Sequence, residues 1–153
     1  MYDKLFSEGK IGNLTLKNRL VMSPMGIGLA ELDGRPSEEM MAFYEARAAG
    51  GAGLIIPEIT RVNDVHGVGL LRQLSVTKDR HIEPLSKLAE VVHKHGSKIF
   101  IQLHHPGRET MSQLIGGQPV VAPSAIMCKF TMQETLECPP KTAPVSKLVI
   151  RWY

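Results

Sequence analysis

Three short apolar runs constrain this chain more than any other feature: RLVMS at 19–23, AGLIIP at 52–57 and KIFIQL at 98–103. Each has the length of a buried strand, and the segments between them carry helical periodicity. In the first, Ser37 follows Pro36 and can cap a helix whose first turn holds Glu38 and Glu39. Met40, Tyr44 and Arg47, beside Met41 and Ala48, give that helix an apolar stripe, and Gly50-Gly51 ends it. In the second, Asp79 is the expected cap. Ile82, Leu85, Leu88, Ala89 and Val92 trace the buried side, and Lys94, His95 and Gly96 close the helix. Residues 10–16, KIGNLTL, read as a hairpin turning at Gly12-Asn13, and residues 59–78 as a long connection.

Strands alternating with helices predict an α/β fold built from parallel βαβ units. The pattern leaves two architectures open, the doubly wound sheet and the (β/α) barrel. The glycine pair after the first run bears on the choice. A dinucleotide fingerprint needs Gly-x-Gly-x-x-Gly opening a helix directly after its strand. Here Gly26-Ile-Gly28 is followed by Leu29, Ala30 and Glu31, the third glycine is missing, and the next helix cap waits until Ser37. Pro24 also removes a backbone donor where a phosphate loop needs one. The alternative is a strand end that offers its backbone to a flat ring, with Gly26 admitting the ring because it has no Cβ. Barrels carry their sites at such strand ends. The next two ends are Pro57-Glu58-Ile59-Thr60 and Gln102-Leu-His-His-Pro-Gly-Arg108.

A length of 153 residues suits one domain. The net charge of +3 is scattered, with Lys94, Lys98 and Arg108 forming no run, so a nucleic-acid partner is not expected. The spacing of Cys128 and Cys138 fits no common metal motif, and His66, His81, His93 and His95 show no ligand spacing, so no metal is expected. No apolar run has the length of a membrane span, and MYDKLFSEGK lacks the apolar centre of a signal peptide. No membrane partner and a cytoplasmic location are the expectations.

LKNRLVMSPM, FYEARAAGGAGLIIPE, GSKIFIQLHHPGR and VAPSAI, in this order, resemble the N-terminal part of the Old Yellow Enzyme family. These are FMN-dependent ene-reductases, with 2,4-dienoyl-CoA reductase and the bacterial NADH:flavin oxidoreductases among them. The resemblance runs from about residue 5 to 126 and implies a partial (β/α)8 TIM barrel: the first three βα units, preceded by the hairpin. Residues 1–153 would then be the N-terminal portion of a flavin-binding barrel, from which the tail 131–153 departs. FMN is the implied cofactor and NAD(P)H the implied reductant. The implied substrate is a small α,β-unsaturated carbonyl or thioester. An iron–sulfur cluster belongs only to longer relatives.

The resemblance also implies site residues. Ser23, Pro24, Met25 and Gly26 match the segment whose backbone lines the flavin. Many relatives have Thr or Cys, in contact with the flavin, where this chain has Gly26, and some have Tyr where Gly28 stands. Ile59 matches a small residue against the flavin, with Glu58 as the competing choice. Gln102 matches the glutamine that bonds the pyrimidine side, where a carboxamide offers a donor beside an acceptor. His104 and His105 are not the family's carbonyl-binding pair, because neighbours on a strand point to opposite faces. One of them is expected at the site mouth. Arg108 lies in a Pro-Gly-Arg motif that in some relatives serves a neighbouring subunit.

A whole barrel takes about 250 residues. The family's acid and His/Asn pair therefore lie outside the matched region, and the catalytic residues are unknown from this sequence. The chain reads as a truncated form, weak or inactive alone. Its helix faces at Ile82, Leu85 and Val92 should lack part of their cover, and an open sheet edge should favour self-association. Two other readings stay open: a non-catalytic fragment that pairs through its edge, and another α/β enzyme that binds a phosphorylated ligand.

Overall fold

The computed structural model describes residues 2–138. A short helix, α1 (Asp3–Phe6), leads into an antiparallel hairpin of β1 (Gly9–Ile11) and β2 (Leu14–Leu16). Gly12 takes the left-handed conformation its tight turn requires, with φ +56°. The expected hairpin is therefore present, while α1 carries no periodic signal because none of its residues is buried.

The three apolar runs lie side by side and parallel, as the alternation predicts. β3 (Val21–Met22), β4 (Leu54–Ile55) and β7 (Lys98–Ile99) form one sheet in that order. Between β3 and β4 runs α2 (Glu38–Ala49), capped at its N-terminus by Ser37, whose Oγ accepts from Met40 N at 3.0 Å. Its buried stripe is Met40, Tyr44 and Ala48. Arg47 is not part of it; the guanidinium lies on the Phe43 ring at the surface, 3.4 Å from the centroid. Asn18 ties the helix exit to the first strand by donating to Gly51 O at 2.7 Å.

The second helix starts later than expected. Residues 79–81 form a single tight turn, and α3 (Ile82–His93) follows. Asp79 is not the cap; instead Lys78 N donates to the His81 ring at Nδ1, 3.2 Å away. Leu85, Leu88, Ala89 and Val92 are buried as predicted, but Ile82 is 55% exposed. The helix faces are thus better covered than expected. α2 and α3 enclose, with Ile55, Leu74 and Ile99 from the strands, one continuous core. The bare surface lies on the sheets, where Val21 is 49% and Leu103 57% exposed.

The largest departure lies beyond Ile55. The second and third runs do not end there but resume as β5 (Ile59–Arg61) and β8 (Gln102–His104). These two are parallel, with Ile59 opposite Gln102 and Arg61 opposite His104. Leu54 pairs with Lys98, a separation of 98 − 54 = 44, whereas Ile59 pairs with Gln102, a separation of 102 − 59 = 43. One extra residue is therefore absorbed around Pro57, which cannot donate to a ladder. The supposed connection at 59–78 contributes a strand of its own, β6 (Leu74–Ser75), on the other side of β5. β6 takes the place beside β5 that a continuation of β3 would occupy. Farther on, β9 (Val120–Ala122) pairs in parallel with β10 (Thr135–Glu137), so the start of the tail expected to depart from the pattern is part of the fold. Residues 139–153, the rest of that tail, lie outside the described residues.

Candidate active site

The sheet ends bring three segments together. The first is the loop after β3. Ser23, Met25 and Gly26 are exposed and Pro24 is half-buried. The next two residues pin the loop: Ile27 N and Gly28 N both donate to Glu58 Oε2, at 2.8 and 3.0 Å. Gly28 has φ +64°, a conformation that bulky side chains resist.

Glu58 is wholly buried at the entry to β5. Its other oxygen, Oε1, accepts from Leu74 N at 3.1 Å, and its own N–H donates to the Tyr44 hydroxyl at 2.9 Å. A buried carboxylate must have partners, and this one has three backbone donors. Burial pushes the Tyr44 hydroxyl up to about 12, so it stays protonated. Glu58 is therefore bound into the fold, while Ile59 is the residue that stands beside Gln102.

Gln102 is half-buried, and its carboxamide has no hydrogen-bond partner among the described residues. An unengaged amide at the end of a buried strand is free to pair with an N–H beside a C=O. Gln73 contrasts with it. Its Oε1 accepts from Gly69 N at 2.7 Å and Leu70 N at 3.2 Å, so it shapes the loop before β6. That loop reaches the first one: a Cβ on Gly26 would come within 2.7 Å of Leu70 Cδ1. The space a Thr or Cys side chain would take at position 26 thus holds Leu70, and not solvent.

His104 is half-buried next to Gly69, and burial lowers its imidazole below the ordinary histidine value. His105 is exposed and uses Nδ1 to accept from Gly107 N at 3.1 Å, in the tight turn 107–109. Burial also lowers the His105 imidazole, with the neighbouring His66 and His104 rings acting in the same direction. Arg108 is exposed in that turn. Among the described residues, no three His, Cys, Asp or Glu side chains are grouped to hold a metal ion, and no helix is long and apolar enough to cross a membrane.

Reasoning from the sequence missed Glu58 as an anchor, and Gln73 and Leu70 as supports of the facing loop. One signal was available. A carboxylate directly after LIIP must be buried with its strand and must therefore find donors.

Comparison with known proteins identifies the family. Residues 4–143 match the NADH:flavin oxidoreductase / NADH oxidase family. NADH oxidase of Thermoanaerobacter brockii is 45% identical over 129 residues, covering 84% of this chain and 20% of that protein. NADPH dehydrogenase of Listeria monocytogenes is 44% identical over 124 residues, covering 80% of this chain and 35% of that one. The chain thus spans about a fifth to a third of the length of these relatives. The solved structure of the Old Yellow Enzyme homologue from Zymomonas mobilis superposes with a TM-score of 0.77 at 32% identity, covering 90% of this chain and 40% of that chain. That likeness puts the α/β fold among those of a TIM-barrel family.

Proposed function

The chain belongs to the NADH:flavin oxidoreductase / NADH oxidase family, and from that premise we propose that residues 2–138 form the flavin-side part of an FMN-dependent ene-reductase. In this reading β3, β4–β5 and β7–β8 are the first three strands of a (β/α)8 barrel, and their ends seat the isoalloxazine ring. When bound, FMN would relay hydride from NAD(P)H to the β-carbon of an alkene conjugated to a carbonyl or thioester. Everything else falls to side chains and backbone. Gln102 reads the pyrimidine edge with one donor and one acceptor. The N–H groups of Met25 and Gly26, which make no bond to the described residues, are available to the ring's polar atoms. Ile59 closes the apolar wall beside Gln102. Ser23 and Pro24 complete the first strand's end.

The observation that carries the reading is the unengaged Gln102 carboxamide held in register beside Ile59. The fit extends to the ring alone, because the family's phosphate-gripping segment, its acid and its His/Asn pair lie outside the residues matched by motif. These residues by themselves should therefore bind FMN more tightly than they turn over substrate. Titration of the purified chain with FMN, followed by flavin fluorescence quenching and induced visible circular dichroism, tests this. One ring per chain with a dichroic signal supports the reading. No uptake of FMN, together with binding of simple phosphate esters, would favour a different α/β enzyme.

One observation favours a second property. Val21, Phe100 and Leu103 leave apolar surface on the sheets, with Phe100 38% exposed. Unpaired sheet edges beside such surface recruit partners. We expect the chain to self-associate through this face, and sedimentation at several concentrations reads it directly.

A further inference from the structure

The flavin-seating loop is held by a residue that never reaches the flavin. We propose that Glu58 is the positioning residue of the site: its carboxylate clamps the loop after β3 so that the two preceding amides stay free and fixed. The inference rests on the flavin reading above.

The argument begins with how the amides are shared out. Four successive N–H groups lie on this loop, from Met25 to Gly28. Glu58 Oε2 takes the last two, at 2.8 and 3.0 Å. The first two, at Met25 and Gly26, have no partner among the described residues, and both residues are exposed. An exposed loop with no ladder partner would ordinarily be mobile. Here a fully buried carboxylate anchors one end, while the pairing of β3 with β4 anchors the other.

The same carboxylate holds the opposite wall. Oε1 accepts from Leu74 N, which follows Gln73, and Gln73 Oε1 in turn holds the amides of Gly69 and Leu70. Leu70 then packs over Gly26. A closed circuit therefore runs from Glu58 through β6 to Leu70 and back to the loop. One side chain sets the gap between two segments that would flank the ring. A carboxylate suits the position because it only accepts, and every group facing it donates. A glutamine of nearly the same volume would turn an NH2 group on at least one of those donors.

Hydrogen exchange and FMN titration of the 153-residue chain test this together. In wild type the amides of Ile27 and Gly28 should be protected, and those of Met25 and Gly26 should not be until FMN is added. Glu58→Gln should speed exchange at Ile27, Gly28 and Leu74 by at least about tenfold, leave α2 and α3 protected, and weaken FMN binding by about tenfold. Tyr44→Phe is the control. It removes the bond to the Glu58 N–H and lowers stability, but should leave the loop protected and FMN affinity unchanged. Unprotected Ile27 and Gly28 in wild type would overturn the clamp even if Glu58→Gln did not fold. Equal loss of FMN affinity in Tyr44→Phe and Glu58→Gln would also overturn it, by reducing Glu58 to general stability. A wild-type chain that protects Ile27 and Gly28 yet takes up no FMN sinks the flavin reading and any role for Glu58 in it, while the loop anchor itself stands measured.

Discussion

Replacing Gln102 by alanine separates binding from folding more cleanly than any other change in this chain. The carboxamide bonds to nothing among the described residues, so its removal leaves no buried donor or acceptor of the protein unpaired. Stability without ligand should change by less than about 0.5 kcal/mol, as for substitutions that break no named interaction. With FMN, two hydrogen bonds are at stake, one donated and one accepted, each worth about 0.5–1.5 kcal/mol net. Their loss amounts to roughly 1–3 kcal/mol, or about 5- to 150-fold in Kd. Gln102→Met keeps most of the volume without the polar atoms and should lose as much. Gln102→Glu sets an acceptor oxygen against the C=O that the amide would donate to, and because the two repel it should lose more than methionine does. The assay is flavin fluorescence quenching over a wide FMN range, with a thermal melt of each apo variant. Should methionine bind FMN like the wild type, or should alanine weaken it by less than about twofold, the amide reads nothing and the site has been misplaced. A fall in apo stability matching the loss of affinity would point to packing instead.

Other perturbations follow from the same contacts. Tyr44→Phe leaves the buried Glu58 N–H without an acceptor and should cost about 1–3 kcal/mol in urea unfolding; a cost below about 0.5 kcal/mol would mean that the amide finds another partner. Burial holds the His81 imidazole, 1% exposed, below its ordinary value of 6.5, and its ring bridges Lys78 N and Asp33 O. The unfolded chain then takes up that proton before the folded chain does. The contribution of His81 is complete above pH 6.5 and is lost as pH falls from there through the lowered folded value. His81→Gln should flatten stability against pH in that window by up to one proton's slope, about 1.4 kcal/mol per pH unit; an unchanged slope would refute it. Gly26→Thr should force the Leu70 side chain to shift, because its Cβ would meet Leu70 Cδ1 at 2.7 Å, although the Gly26 φ is not left-handed. Leu70→Ala should relieve it, and a double-mutant cycle on FMN affinity with no coupling would show that the two positions act independently.

What the sequence made legible, and what it hid, divides along a physical line. Patterns that arise from burial were readable. The stripe of Leu85, Leu88, Ala89 and Val92 and the runs at LIIP and KIFIQ report apolar faces, and those faces are buried against each other. Caps were readable where a side chain acts on its own helix, as Ser37 does. Asp79 failed because a preceding tight turn places His81, and not the aspartate, at the entry to α3. Arg47 failed because helical periodicity admits a step of either 3 or 4 residues after Tyr44, and the buried step is the one to Ala48. β5 and β6 were hidden because two- and three-residue strands carry no alternation to detect.

The site divides in the same way. Gln102 could be named from the family motif, and the structure leaves its carboxamide without a partner among the described residues. Glu58 could not be placed, because its role depends on backbone groups 16 to 31 residues away. A side chain that touches a ligand is often marked by its own identity, whereas one that holds another segment in place is marked only by the fold. The extra residue around Pro57 shows how closely the two are linked. It shifts the pairing from 44 to 43, and in the resulting register Ile59 stands beside Gln102 while Glu58 is buried under the loop. With the 44-residue register continued, Glu58 would pair opposite Gln102, and the side chain that now accepts from three amides would stand where the proposal seats the ring. In the proposed site, the slip at Pro57 is therefore what separates the residue that would anchor the loop from the residue that would line the ring.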